Sequence, residues 1–311
     1  MNRKFDLFYN IPTWNKIFFA FFISLSCMLF FFFIAVLSAF IIYDLSLEEA
    51  KQYIVSGPDF NNIAVIKLFQ IFQSIGAFLI PSFILAYIFH SNQWEYLKLN
   101  KRPAIISMIL AILSIVVAIP VINHIAELNS RIDLPDFMGR LENKIIDLEN
   151  DAGQIMESFF NTSTIRGLAV NILMIGILPA IGEELLFRGI FQRLFIEWTK
   201  NVHLGIFAGA FIFSFIHLQF FGFLPRLLLG IYFGYLFIWS KTIWLPVIAH
   251  FVNNAFAVIY YHFSGSNFGE SKIDYMGRVE GDFIYLAASI SLLIVLVFSI
   301  YNVERLRTTN N

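Results

Sequence analysis

The chain of 311 residues has little charge and almost no cysteine. Charged residues make up 14% of it, the formal net charge is −1, and no long basic run occurs. Nucleic-acid-binding proteins normally carry a basic patch, so we expect no nucleic-acid partner. The single cysteine, Cys27, excludes a disulfide framework and a CxxC metal pair. The HExxH zinc motif of many metalloproteases is also missing from the sequence.

Apolar residues, in contrast, are abundant. They make up 58% of the chain, including 38 Phe, which is too apolar for a soluble domain of this length. A helix needs about 20 apolar residues to cross a bilayer. Eight segments approach that length: 16–43, 64–90, 104–124, 167–190, 203–222, 225–240, 243–262 and 283–301. The sequence therefore predicts an all-α, polytopic membrane protein of about eight transmembrane helices, forming a single integral membrane domain over 1–311.

The distribution of basic residues predicts the orientation in the membrane. Alternate connections carry Arg3, Lys4 and Lys16; Lys98, Lys101 and Arg102; Arg188, Arg193 and Lys200; Lys241; and Arg305 and Arg307. The intervening loops are acidic, and 127–166 holds eight acids against four bases. Because cytoplasmic loops collect Lys and Arg, we expect both termini to be cytoplasmic in a multi-pass protein of the cell membrane.

The connection 125–166 is the longest stretch outside the predicted spans. It interleaves apolar residues such as Ile145, Leu148, Ile155 and Phe159 with charges, as expected for one or two amphipathic helices at the outer surface. We interpret it as an extramembrane solvated or gating element rather than a binding site.

Two adjacent glutamates, Glu183 and Glu184, lie near the end of the fourth apolar segment, which we expect to be its cytoplasmic end. Ionisable groups at membrane depth are costly and are functional candidates by default. On a helix, Glu184 and Arg188 share a face four residues apart, with the acid first, which is the favourable orientation for a pair. Glu183 points about 100° away and lacks that partner. The pattern predicts one structural carboxylate and one free for acid or base chemistry.

Three further polar residues, His217, His250 and Asn254, lie in later apolar segments. His250 and Asn254 are four residues apart and point in one direction. An imidazole and an amide aimed at one point can donate hydrogen bonds to an oxyanion, while a carboxylate activates water. Alternatively, carboxylate and imidazole together can ligate a divalent metal such as zinc. The residues leave both readings open.

These residues form the patterns Glu-Glu-x-x-x-Arg, Phe-x-x-x-His and His-x-x-x-Asn, in that order. The set resembles the three motifs of the CPBP family, the CAAX proteases and bacteriocin-processing (Abi-type) membrane proteins. The resemblance implies a catalytic core over 167–262, preceded by three N-terminal helices in 16–124 and followed by a C-terminal helix in 283–301. It also implies a catalytic cavity among helices four to seven.

Residue by residue, the resemblance implies that Glu183 activates water, supported by the Glu184–Arg188 pair. It implies His217 as a second catalytic group and His250 with Asn254 as the oxyanion site. The family has been described both as metalloproteases and as glutamate-dependent. We expect a metal-free reaction, with zinc as the alternative, because the arginine opposes a bound cation.

The sequence therefore predicts an intramembrane endopeptidase that cleaves a membrane-associated peptide or protein within the lipid bilayer. The alternative is a non-proteolytic membrane protein, either an immunity or binding protein or a small transporter. The two differ in whether Glu183 is required. Oligomeric state and substrate identity are not encoded in these patterns.

Overall fold

The computed structural model describes residues 11–309 except 45, 47, 49–61, 133–134, 163, 266–268, 270 and 279–282, and all regular structure within this described part is helical. Its long helices are α1 (Thr13–Tyr43), α2 (Ile63–Phe89), α3 (Ile105–Val117), α4 (Ile119–Ser130), α5 (Gly139–Phe160), α6 (Ile165–Thr199), α7 (Val202–Phe215), α8 (Phe223–Ser240), α9 (Trp244–Ser264) and α10 (Phe283–Thr309). The predicted all-α membrane fold is confirmed.

The predicted number of eight spans is not confirmed. Five helices, α1, α2, α6, α8 and α10, are long and apolar enough to cross a membrane. A sixth span results if α3 and α4, which meet at a 45° bend beside Pro120, count as one. The remaining two predicted segments are helical, but neither is both long enough and apolar enough to count as a span. The 14 residues of α7 reach only about 21 Å, against about 30 Å of hydrocarbon, and α9 is interrupted by polar side chains.

Most of the connections that carry basic residues lie at one end of the bundle, where hydrogen bonds between helices join them. We call this end the basic end. There the Lys98 and Lys101 carbonyls accept from the Ile243 amide and the Thr242 hydroxyl. At the same end Arg307 donates to the Arg102 carbonyl, and Lys16 pairs with Glu197 at 3.1 Å. Arg3 and Lys4 of the predicted pattern lie outside the described residues. Arg188 is the exception, because it is buried within α6 rather than in a connection. The side of the membrane on which the basic end lies stays a prediction.

The other end of the bundle, the distal end, joins the end of α4 and the acidic connection to two later segments. Asn129 donates to the Phe220 carbonyl at 2.5 Å, and the Phe221 amide donates to Glu149 at 2.8 Å. The side chain of Asn123 likewise reaches the carbonyl of Ile273 at 2.7 Å. Residues 123–130, α5 and the α7–α8 link therefore lie together, opposite the basic end.

We expect cysteines placed in 98–102 to react with membrane-impermeant reagents from the cytoplasm, and cysteines in 140–150 from the outside. The positions lie at opposite ends of the bundle, so they must label from opposite faces. Cys27 is replaced by serine first to remove background labelling. Labelling of both regions from the same face would contradict the predicted topology.

Helix α6 lies at the centre of the fold. Its residues 182–192 are buried without interruption, whereas α1 and α10 expose most of their surface to the surroundings. Small residues allow its neighbours to approach: a Cβ on Gly209 of α7 would lie 3.3 Å from Gln192, and one on Gly230 of α8 would lie 3.0 Å from Ala210. This close packing brings the polar face of α6 to α7 and α8.

Candidate active site

An internal cavity of about 320 Å³ lies among the central helices on the distal side. Its polar lining consists of Gln70, Glu183, His217, Gln219, Arg226, His250, Asn253 and Asn254. The helices predicted as four to seven supply most of this wall. Helix α5 adds Ile155, Met156 and Phe159, so the amphipathic connection covers the cavity. The sequence predicts only a solvated or gating element over 125–166. The direct contact of α5 with the cavity is a finding of the structure.

The pair expected between Glu184 and Arg188 is formed at the centre of α6. Nη1 of Arg188 lies 2.9 Å from Oε1 of Glu184, and both side chains are almost fully buried. Arg188 also donates from Nη2 to the Gly230 carbonyl at 3.0 Å, and its guanidinium lies over the rings of Phe213 and Phe233. An ion pair, a hydrogen bond and two aromatic rings therefore hold Arg188 in place.

His250 of α9 lies between the two glutamates. Its Nδ1 donates to Oε1 of Glu184 at 2.8 Å, and its Nε2 lies 3.8 Å from Oε2 of Glu183. The ring stacks on Phe233 at a centroid distance of 5.1 Å, which fixes its plane. Oε1 of Glu184 is therefore shared by Arg188 and His250, while Glu183 makes no such close contact.

Asn254 is anchored to α6 through a gap in the helical hydrogen bonding. Pro179 has no N–H to donate to the carbonyl of Ile175, four residues earlier. The Asn254 amide donates to that carbonyl instead, at 3.0 Å, while its own Oδ1 accepts from Asn253 at 3.0 Å. The π-helical segment Ile172–Ile177 lies directly before the proline, and such segments are frequent at functional sites.

His217 follows the last turn of α7 rather than lying within a long transmembrane helix. Its Nδ1 donates to the carbonyl of Phe213 at 2.7 Å, and the two rings meet edge to face. This bond fixes the tautomer of the neutral ring, so Nε2 retains its lone pair. The imidazole lines the same cavity as Glu183 and His250.

The expectation that Glu183 lies near the cytoplasmic end of its helix is wrong. Helix α6 continues to Thr199, because the amphipathic segment Gln192–Thr199 extends the apolar run. Glu183 is 16 residues before that end, roughly 24 Å at 1.5 Å per residue, and His217 is 15 residues into its own segment, roughly 22 Å. The two side chains therefore lie at a similar depth, measured from the basic end.

Arg226, Gln219 and Asn253 line the cavity, and the first two were not foreseen from the sequence. Arg226 is the lone charged residue of α8, a single cation in an otherwise apolar span, which is itself a signal of function. Gln219 lies in the link between α7 and α8 and has no spacing pattern to reveal it. Asn253 donates to Oδ1 of Asn254 and lines the cavity.

Among the described residues, no three His, Cys, Asp or Glu side chains are grouped so as to hold a metal. The acceptor Oε1 of Glu184 is occupied by Arg188 and His250, and Nδ1 of His250 is occupied by Glu184.

The fold and the cavity define a multi-pass membrane protein with carboxylate, imidazole and amide groups in one buried site. Residues 165–256 match the family of type II CAAX prenyl endopeptidase Rce1-like proteins. The chain is also similar to the protein named "Putative membrane peptidase YdiL" of Bacillus subtilis (strain 168), with 30% identity over 95 residues. That match covers 30% of this chain and 38% of the relative's length. No solved structure matches the chain.

The matched segment contains all six candidate residues, Glu183, Glu184, Arg188, His217, His250 and Asn254. The resemblance expected from the three motifs is thereby confirmed over 165–256, where the chain is similar to Rce1-like proteins and to the Bacillus subtilis relative.

Proposed function

We propose that the protein is an intramembrane endopeptidase in which Glu183 activates a water molecule for attack on a peptide bond. The observation that carries the proposal is the difference between two adjacent carboxylates. Glu184 is fully buried and fixed by Arg188 and His250, whereas Glu183 is 7% exposed and lines the cavity. Because an acid at membrane depth is costly to the fold, and the nearest basic atom among the described residues lies 3.8 Å from Glu183, a catalytic role accounts for its presence there.

The reaction follows from these positions. Glu183 accepts a proton from water as the water oxygen bonds to the substrate carbonyl carbon. The carbonyl oxygen becomes an oxyanion, and the tetrahedral intermediate then releases the amine, which takes the proton back from Glu183. His217 polarises the attacking water through the free Nε2 of its ring.

His250 and Asn254 are the proposed donors to the oxyanion. Nδ1 of His250 donates to Glu184, so the ring is oriented with Nε2 beside Glu183 at the cavity, where a proton on Nε2 makes it a donor. Asn254 uses one amide hydrogen on Ile175 and retains a second. Fixed donors of this kind stabilise an oxyanion without reorganisation in the transition state.

The proposal is tested with purified protein in detergent or vesicles and a library of hydrophobic peptides. Products are identified by mass spectrometry in water enriched in oxygen-18. New carboxyl termini that carry one heavy oxygen, and that are absent with Glu183→Gln, identify a hydrolase. An immunity protein or a transporter gives no such product.

We infer that the reaction requires no metal. Arg188 and His250 occupy one of the two oxygens of Glu184, and Arg188 opposes positive charge electrostatically. Activity is therefore expected to survive exhaustive chelation without loss of rate. Elemental analysis of the active protein accompanies the assay. Stoichiometric zinc, whose removal stops cleavage and whose return restores it, would establish metal catalysis instead.

A further inference from the structure

Arg226 is a cation in the wall of the cavity that the proposed reaction does not use. It lies in the first turn of α8, on the distal side, and lines the same space as Glu183, His217 and His250. The groups around Arg226 determine how far its positive charge is compensated within the protein.

The hydrogen bonds of Arg226 within the protein all go to uncharged acceptors. Nη1 donates to the side-chain oxygen of Gln219 at 2.8 Å, Nη2 donates to the Gln219 carbonyl at 3.3 Å, and Nε donates to the Gly222 carbonyl at 3.2 Å. These bonds hold the guanidinium in place without neutralising it. A guanidinium has five N–H groups, so one remains on each of Nη1 and Nη2.

No carboxylate oxygen among the described residues lies within 4.0 Å of this guanidinium. The acids that act on it from farther away are Glu149 and Glu183. Glu149 accepts from the Phe221 amide at 2.8 Å, and Glu183 is the proposed base. Arg188 provides the contrast, because it is buried beside Glu184 at 2.9 Å. Arg188 and Arg226 thus lie close to one site. Among the described residues, only Arg188 has a carboxylate within 4.0 Å.

We propose that Arg226, oriented by Gln219, binds a carboxylate of the substrate peptide next to the bond that is cleaved. This rests on the proposed peptidase function and adds a specificity element to it. Arginine forms charge-assisted N–H···O bonds with a carboxylate, and one N–H on each of Nη1 and Nη2 remains to make them. The carboxylate comes either from the peptide's free carboxyl terminus or from an acidic side chain.

The test compares four forms of a peptide selected by the cleavage assay: a free-acid or amidated terminus, each with Asp or Asn near the cleavage site. Wild-type protein is expected to prefer one carboxylate form by roughly 10- to 100-fold in kcat/KM, the worth of hydrogen bonds to a charged group. Preference for the free acid identifies the terminus, and preference for Asp identifies the side chain. Arg226→Gln should lose the preference mainly through KM, and Arg226→Lys should retain part of it.

Binding of the same peptides to Glu183→Gln, with and without Arg226→Gln, separates this proposal from the peptidase function. If no peptide is cleaved, the function fails, yet acid-over-amide binding that requires Arg226 still supports the carboxylate site. Thermal unfolding in detergent monitors the fold of each variant. An equal effect of Arg226→Gln on all four peptides, or a preference that follows anionic lipid in the vesicles instead of the peptide, would overturn it.

Discussion

Replacing Glu183 by glutamine is expected to lower the cleavage rate by at least about 100-fold, the lower end of what a general base contributes. Glutamine has the same shape but cannot take a proton from water. The substitution should leave the fold intact, because the nearest basic group to Glu183 is Nε2 of His250 at 3.8 Å, beyond hydrogen-bond distance. Initial cleavage rates and thermal unfolding, measured on the same preparations, separate loss of chemistry from loss of fold.

The matched control is Glu197→Gln, on the same helix but at the basic end. Glu197 accepts from Thr13 and Lys16 and lies far from the cavity, so its loss should leave the cleavage rate close to that of the wild type. If Glu183→Gln cleaves as fast as Glu197→Gln, Glu183 is not the base and the alternative of a non-proteolytic membrane protein gains support.

The sequence predicted the features that depend on local spacing. Glu184 and Arg188 are four residues apart on one helix, and so are His250 and Asn254, and helical geometry alone places each pair on one face. Local periodicity suffices for such relations because each concerns neighbours on a single helix.

Other features depend on contacts between distant segments, and spacing cannot reveal them. The donation from Nδ1 of His250 to Glu184 joins α9 to α6, and the bond from Asn254 to Ile175 exists only because Pro179 leaves a carbonyl free. The depth of Glu183 was misjudged because the amphipathic end of α6 was not counted as part of the span. Helix α5 covers the cavity through tertiary packing, whereas its sequence pattern indicates only a surface helix.

Replacing Arg188 by alanine is expected to destabilise the protein by roughly 3–5 kcal/mol, the range for breaking a buried ion pair. The change removes the cation beside Glu184, leaves the Gly230 carbonyl without its side-chain donor, and empties the space between the rings of Phe213 and Phe233. Oε2 of Glu184 already lacks a hydrogen-bond partner among the described residues, so the carboxylate would keep only His250. The free energy of unfolding in mixed micelles measures the loss.

Arg193→Ala provides the control for arginine truncation on the same helix. Arg193 donates to the Tyr96 carbonyl and stacks on the Tyr96 ring, without a carboxylate partner in the described structure, so its loss should cost only about 1 kcal/mol. The double variant Glu184→Gln with Arg188→Met removes both charges and keeps an acceptor for Nδ1 of His250. It should recover most of the stability that Arg188→Ala loses, because no uncompensated charge remains buried. Equal costs for Arg188→Ala and Arg193→Ala, or a double variant no more stable than Arg188→Ala, would show that the Glu184–Arg188 pair does not stabilise the fold through its charges.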